Sequence, residues 1–184
     1  MRIIGGQFKG YRFNPPSKIP ARPTTDRAKE SLINILNSRD AIQNKRCLDL
    51  FSGTGNMAYE LASQGAESIT AIDINFHATE FIKQVFKDLK FTNCKIIKTD
   101  VFKWMKQGNV HSFDFIFADP PYDHLEMSHL PEVIFNNNLL AVNGLLVIEH
   151  RSTLNFKNSG LIESRDYGQS MFSFFKNPLE TGVQ

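Results

Sequence analysis

The sequence predicts an α/β fold built on a parallel sheet with helices on both faces. Three observations carry the prediction. Short apolar runs alternate with segments of helical spacing over residues 47–149, the pattern of repeated βαβ units. A tight glycine turn, Ser52-Gly53-Thr54-Gly55, directly follows the first run. The last two apolar runs, residues 161–167 and 170–175, are separated only by Gly168-Gln169, so they read as an antiparallel pair closing one edge of the sheet. At 184 residues and 41% hydrophobic content, the chain holds one domain with a real core and a small appendage. The expected layout is a basic hairpin arm and proline connector over residues 1–20, a main domain over 21–178 and a flexible tail over 179–184.

The arm comes first. Arg2-Ile3-Ile4 and Tyr11-Arg12-Phe13 are extended pieces separated by Gly5-Gly6 and Gly10, the composition of a small hairpin. Phe8, Tyr11 and Phe13 lie among its basic residues. Such rings can stack on bases while cations neutralise phosphates, or they can simply pack on the main domain. Pro15, Pro16 and Pro20 make a stiff connector, and Thr24 or Thr25 caps a helix that carries Ala28, Leu32, Ile33, Ile35 and Leu36 and ends near Asn37 or Ser38.

The alternation then begins. Strands are expected at 47–51, 69–73, 95–99, 113–118 and 145–149. Helices are expected at 56–64, stopped by Gly65, at 75–91, with Phe81, Ile82, Val85, Phe86 and Leu89 on one face, and at 101–107. Lys83, Lys87 and Lys90 fall opposite that apolar face, as its solvated side.

Composition excludes several classes. No stretch approaches the roughly 18 apolar residues of a membrane helix and the start has no signal core, so a cytoplasmic protein without membrane contact is expected. Cys47 and Cys94 suggest neither a disulfide framework nor a metal site. The histidines lack the spacing of helical metal ligands, and no metal is expected. Nothing demands more than a monomer. The net charge of +2 is unevenly spread, with +5 in the first thirty residues and −3 in the rest, which points to an anionic partner docking on the arm.

Ligand chemistry concentrates at the strand ends. In a doubly wound sheet, small molecules bind beyond the carboxyl ends of the strands. Gly53 and Gly55 allow close backbone approach there. Asp73 follows Gly53 by 20 residues, the offset at which an acid accepts from ribose hydroxyls. Asp100, with the Val101 N–H, is placed to read the polar edge of an adenine, and Asp119 ends the fourth strand. The continuation Asn56-Met57-Ala58 lacks the third glycine of a dinucleotide turn. Asp119-Pro120-Pro121-Tyr122 is a rigid turn rich in acceptors, with a ring for stacking, and suits a planar base bearing an amino group. Glu149 either lines the pocket or is a soluble strand boundary.

These residues carry a resemblance. The segment 48–55 looks like the S-adenosylmethionine loop of class I methyltransferases, and Asp119-Pro120-Pro121-Tyr122 like their amino-methylating motif. With Arg2-Ile3-Ile4-Gly5-Gly6-Gln7, Lys9-Gly10, Arg22-Pro23-Thr24-Thr25-Asp26-Arg27 and Glu30, the chain resembles the RsmD family of bacterial 16S ribosomal RNA guanine-N2 methyltransferases. The resemblance implies a Rossmann-like, seven-stranded sheet whose last strand is antiparallel, with a small N-terminal β-hairpin extension. It implies S-adenosylmethionine as methyl donor and a guanine of 16S ribosomal RNA as acceptor, on the naked RNA or on a small-subunit assembly intermediate. Asp49, Phe51, Gly53, Thr54 and Gly55 would hold the methionine part, Asp73 the ribose, and Asp100 with Val101 the adenine. Arg2, Lys9, Arg12, Arg22, Thr25 and Arg27 would contact RNA. The helix after the loop departs from the family, beginning Asn56-Met57-Ala58-Tyr59-Glu60, which alters packing beneath the cofactor.

A guanine amine is a poor nucleophile because its lone pair is delocalised into the ring. Asp119 and the Pro120 carbonyl are expected to accept its two hydrogens, Pro121 to stiffen the turn and Tyr122 to stack on the base. Three rivals use parts of the same pattern. A DNA adenine-N6 methyltransferase shares the turn but needs more surface than residues 122–145 supply for reading a duplex. The others are a non-catalytic RNA-binding or ribosome-assembly factor on the same fold and a nicotinamide-dependent oxidoreductase.

Overall fold

The computed structural model describes residues 1–19, 26–108, 112–121, 126–154, 156, 160–168 and 170–178. The first helix, α1 (Asp26–Ser38), precedes the sheet. Alternation then runs β1 (Arg46–Leu50), α2 (Asn56–Ser63), β2 (Ser68–Asp73), α3 (Phe76–Asp88), β3 (Cys94–Lys98), α4 (Val101–Met105) and β4 (Phe113–Ala118). A 3-10 turn at Met127–His129 leads into α5 (Leu130–Asn136), followed by β5 (Leu140–His150), β6 (Leu161–Asp166) and β7 (Met171–Phe175). The seven strands lie in the order β3-β2-β1-β4-β5-β7-β6. The first five are parallel, and β7 is antiparallel to both β5 and β6. The terminal pair therefore does close one edge, with β7 inserted between β5 and β6.

Apolar layers cover both faces of the sheet. Alternating side chains of each strand enter opposite layers: Phe115 and Phe117 pack with α1, α2 and α3, while Ile116 and Ala118 pack with α4 and α5. Strands buried on both faces read as nearly continuous hydrophobic runs, and Asp49, 1% exposed within β1, breaks that pattern.

The N-terminal residues form a hairpin, with an antiparallel bridge between Arg2 and Arg12 and hydrogen bonds from Ile3 N–H to the Tyr11 carbonyl (3.0 Å) and from Gly10 N–H to the Ile3 carbonyl (2.9 Å). It is docked on the body. Ile3 and Phe13 are buried in the α1–α3 layer, where Phe13 meets Tyr59 edge to face at 4.8 Å. Phe8 and Tyr11 pack partly buried against the same layer, so of the two roles open to these rings the structure shows the packing one. The Gln7 N–H donates to the Ser63 carbonyl at the end of α2 (2.8 Å).

Two elements differ from the sequence expectation. Helix α5 and its 3-10 turn occupy a stretch with no expected element; Pro131 sits in the first turn of α5, where a missing N–H costs a helix nothing. Strand β5 begins at Leu140 rather than 145, because a register shift between Phe113 and Phe115, together with Asn143 at φ +62°, lets it pass through Asn143-Gly144 without breaking. The expected cap at Thr24 or Thr25 and the expected tail lie outside the described residues. No described helix is long and apolar enough to cross a membrane.

Candidate active site

A cavity of about 590 Å³ opens beyond the carboxyl ends of β1, β2 and β4, within the roughly 300–1,000 Å³ typical of small-molecule sites. The loop after β1 forms its floor. Phe51, Gly53 and Gly55 all have positive φ (+59°, +53° and +78°). Glycine adopts this region freely, whereas Phe51 does so at a cost of about 1–2 kcal/mol. The bend swings Phe51, Gly53 and Thr54 onto the cavity wall and lets α2 start at Asn56 with Gly55 as its cap.

Acidic side chains organise the loop. Asp73 accepts from the Gly53 N–H (2.7 Å, Oδ2) and from the Asn75 N–H (2.7 Å, Oδ1), which ties the loop after β1 to the start of α3. Each oxygen retains acceptor capacity, since a carboxylate offers about four lone-pair sites. Asp49 accepts from the Ala58 N–H in the first turn of α2 (3.2 Å) and is almost wholly buried, yet it lines the cavity. Burial pushes its carboxyl up to about 7, opposed by the Ala58 hydrogen bond and reinforced by the charge of Asp73. Asp100 caps α4 by accepting from the Lys103 N–H (2.7 Å), and with Val101 it forms a further stretch of wall.

Opposite stands the proline turn. The Asp119 N–H donates to the Leu50 carbonyl (3.3 Å), so the end of β4 is held against the end of β1. Asp119, Pro120 and Pro121 line the same cavity as Asp49, Asp73 and Asp100. Proline lacks an N–H, so neither Pro120 nor Pro121 adds a backbone donor to this side of the site.

The structure thus brings together Asp49, Phe51, Gly53, Thr54, Asp73, Asp100, Val101, Asp119, Pro120 and Pro121. Gly55 is not part of the wall; its place is at the helix cap, with Tyr59 packed against it. Glu149 also lies off the wall, buried and accepting from the Ser170 hydroxyl (2.6 Å). Tyr122, Arg22 and Thr25 lie outside the described residues. Arg2, Lys9, Arg12 and Arg27 are exposed, with Arg2 paired to Asp26 at 3.1 Å. Lys29, counted in the positive charge of the arm, is buried and bonded to Glu60, so it offers no charge to a partner.

Sequence reasoning missed two wall residues from the arm, Met1 and Ile19. Thr54 Oγ1 donates to the Met1 sulfur at 3.5 Å. An isolated isoleucine in a proline-rich connector was the available signal for Ile19; Met1 carried none. Asn75 and Ala78 were also missed, although Asn75, which caps α3 through its side chain, could have been found as a capping residue directly after Asp73. Among the described residues, no group of three or more His, Cys, Asp and Glu side chains is placed to hold a metal ion.

Comparison with known proteins adds to this geometry. The family model described as conserved hypothetical protein 95, the RsmD family, matches residues 1–176. The chain belongs to the RsmD family. Ribosomal RNA small subunit methyltransferase D of Buchnera aphidicola subsp. Baizongia pistaciae is 36% identical over 155 residues, covering 84% of this chain and 78% of that one. The solved structure of Escherichia coli yhhF, 26% identical, superposes with a TM-score of 0.84 over 96% of this chain and 97% of its own. The Thermus thermophilus 16S rRNA N2 G1207 methyltransferase, solved with AdoMet and guanosine, shares the fold at a TM-score of 0.67 and 16% identity, over 86% of this chain and 45% of its own. This member of the RsmD family therefore has the class I S-adenosylmethionine-dependent methyltransferase fold.

Proposed function

We propose that this RsmD-family protein transfers a methyl group from S-adenosylmethionine to the exocyclic N2 amine of a guanine in 16S ribosomal RNA, presented on the naked RNA or on a small-subunit assembly intermediate. The observation that carries the reading is the placement of the Asp119-Pro120-Pro121 turn across one cavity from the Asp73 and Asp100 carboxylates. One side of that cavity offers acceptors for a nucleoside, the other a donor-poor acceptor turn for an amine. Relatives named ribosomal RNA small subunit methyltransferase D support the substrate class.

The residues present fit the donor. The wall after β1 is backbone at positive φ, Asp73 retains acceptor capacity for ribose hydroxyls, and Asp100 with the Val101 N–H suits an adenine edge. When bound, the donor supplies an electrophilic methyl group. Asp119 and the Pro120 carbonyl accept the two amine hydrogens, which localises the nitrogen lone pair. Tyr122 stacks on the base. Holding nitrogen and methyl in near-attack geometry can supply roughly 7–11 kcal/mol of the barrier. As the new N–C bond forms, the C–S bond to the donor breaks and the nitrogen becomes acidic; Asp119 takes its proton.

Mass mapping of methylated nucleosides in ribosomal RNA from cells with and without the protein tests this reading. Loss of N2-methylguanosine at one site of 16S RNA is expected on deletion. A change at an adenine, or no change in ribosomal RNA, would overturn it.

A further inference from the structure

The positive charge of the chain occupies two places. Residues 76–108 carry seven lysines against Glu80, Asp88 and Asp100, a net of +4. Outside this block and the first thirty residues, the rest of the chain is net −7. All seven lysines are exposed.

The fold gathers them. Lys83, Lys87 and Lys90 lie on α3 and the turn just after it, while Lys95 and Lys98 lie on β3, the edge strand of the sheet. Lys103 and Lys106 lie on α4 and its cap. The charges therefore wrap around the β3 edge, from the helix on one face to the helix on the other. Lys83 pairs with Glu80 at 2.7 Å and Lys106 approaches Glu126 at 3.7 Å. The other five make no ion pair among the described residues. Solvated lysines are ordinary on a helix, and edge lysines also deter unwanted strand addition, but neither role calls for proximity to a cavity.

Here the ridge starts at the cavity mouth. Lys98 is in register with Asp73, and the Thr99 N–H donates to the Asp73 carbonyl at 3.0 Å. Helix α3 begins beside Asn75, and α4 begins with Val101, both on the cavity wall. Phe76, in the first turn of α3, is 55% exposed, with its ring centroid 5.6 Å from that of His77. An exposed aromatic ring one residue after Asn75 of the cavity wall, continued by lysines with no ion pair among the described residues, matches the requirements of a single strand of RNA: a stacking platform followed by a line of cations.

We propose that the α3–β3–α4 ridge is a second RNA-docking surface, separate from the N-terminal arm, with Phe76 stacking an unpaired base next to the target and Lys95, Lys98 and Lys103 neutralising backbone phosphates. The proposal rests on the functional reading above and adds to it the path of the substrate strand.

The test compares the wild-type protein with Lys95→Glu/Lys98→Glu/Lys103→Glu, the milder triple Gln variant and Phe76→Ala. Binding to protein-free 16S RNA and to small-subunit particles is measured across a salt series, with S-adenosylmethionine affinity and thermal stability as controls. The triple Glu variant is expected to bind RNA at least about tenfold more weakly, and to lower the slope of log K against log salt by about 2, since each contact to a single-stranded phosphate contributes roughly 0.7. The Gln variant should show the same direction with a smaller loss, Phe76→Ala weaker binding with an unchanged salt slope, and all three an unaltered S-adenosylmethionine affinity. Unchanged RNA affinity and salt slope would overturn the proposal while leaving the functional reading intact. A defect on particles but not on protein-free RNA would also overturn it, assigning the ridge to an acidic protein partner. A wild-type protein that binds and methylates neither substrate would overturn the functional reading itself.

Discussion

The Lys29 Nζ lies 3.2 Å from Glu60 Oε2, and the two side chains are 1% and 0% exposed. Lys29 also donates to the Arg2 carbonyl (2.8 Å) and to Asn56 Oδ1 (2.9 Å). Glu60 accepts from the Ile4 N–H (3.0 Å) and the Gly5 N–H (2.9 Å). One buried pair thus locks the hairpin arm onto both α1 and α2, the helix that starts at the cavity loop. Removing one partner strands the other charge out of water, which typically costs about 3–5 kcal/mol. Lys29→Met is expected to lose that amount in chemical denaturation. Lys29→Met/Glu60→Gln should lose less than the two single variants combined, because neither charge is then left buried without its partner. A single-variant loss below about 1 kcal/mol, the range of an exposed pair, would contradict the account.

Asp119→Ala should separate binding from turnover. The donor side of the cavity is held by its own hydrogen bonds, from the Gly53 and Asn75 N–H groups to Asp73 and from the Lys103 N–H to Asp100. Calorimetric affinity for S-adenosylmethionine is expected to stay within about twofold, while methyl transfer falls at least about 10²-fold, the low end for loss of a positioned acid–base group. An active variant would remove Asp119 from the mechanism.

Asp49 gives a dependence on pH with opposite signs for stability and binding. Its carboxyl is raised from 3.8 to about 7 in the folded protein, so between those values the native state holds a proton that the unfolded chain has released. Stability of the unliganded protein from this group is greatest below the unfolded value and falls as pH rises through the window. A cationic ligand group in the cavity favours the ionised carboxylate, so S-adenosylmethionine affinity should rise with pH up to about 7 and then level off. Titration calorimetry at pH values spanning that window checks it, and Asp49→Asn should flatten the dependence.

Much of this site was legible because the chemistry sits at strand ends, which periodicity locates well. Asp73, Asp100 and Asp119 each follow an apolar run, and a doubly wound sheet converges such ends whatever the detail of the loops between. What sequence could not supply was contact between distant segments. The basic arm read as a separate appendage, because nothing in residues 1–19 announces that Glu60 and Ser63 would bind its backbone. Lys29 read as one more arm cation, since a buried lysine differs from an exposed one only through a partner 31 positions away. Helix α5 was hidden because Pro131 suggests a break but stands in the one turn that tolerates it.

Tyr59, on α2 beneath the loop after β1, makes the last prediction. Its ring is fully buried between Phe13 and Phe86, with centroids at 4.8 and 5.3 Å, and its hydroxyl has no hydrogen-bond partner among the described residues. A buried hydroxyl left unpaired costs about 1–3 kcal/mol, so Tyr59→Phe should raise the melting temperature with cavity geometry unchanged. Gly55→Ala should do the reverse. A Cβ there would lie 2.6 Å from both Cζ and Oη of Tyr59 and 2.8 Å from Ile82 Cγ1, at a φ of +78° that disfavours any side chain. Overpacking of this kind costs about 1–3 kcal/mol, and relief of it by moving the loop would weaken S-adenosylmethionine binding. Because the hydroxyl is one of the clashing atoms, Tyr59→Phe/Gly55→Ala should recover part of the loss. Full additivity in a double-mutant cycle would show instead that the loop and the ring do not press on each other.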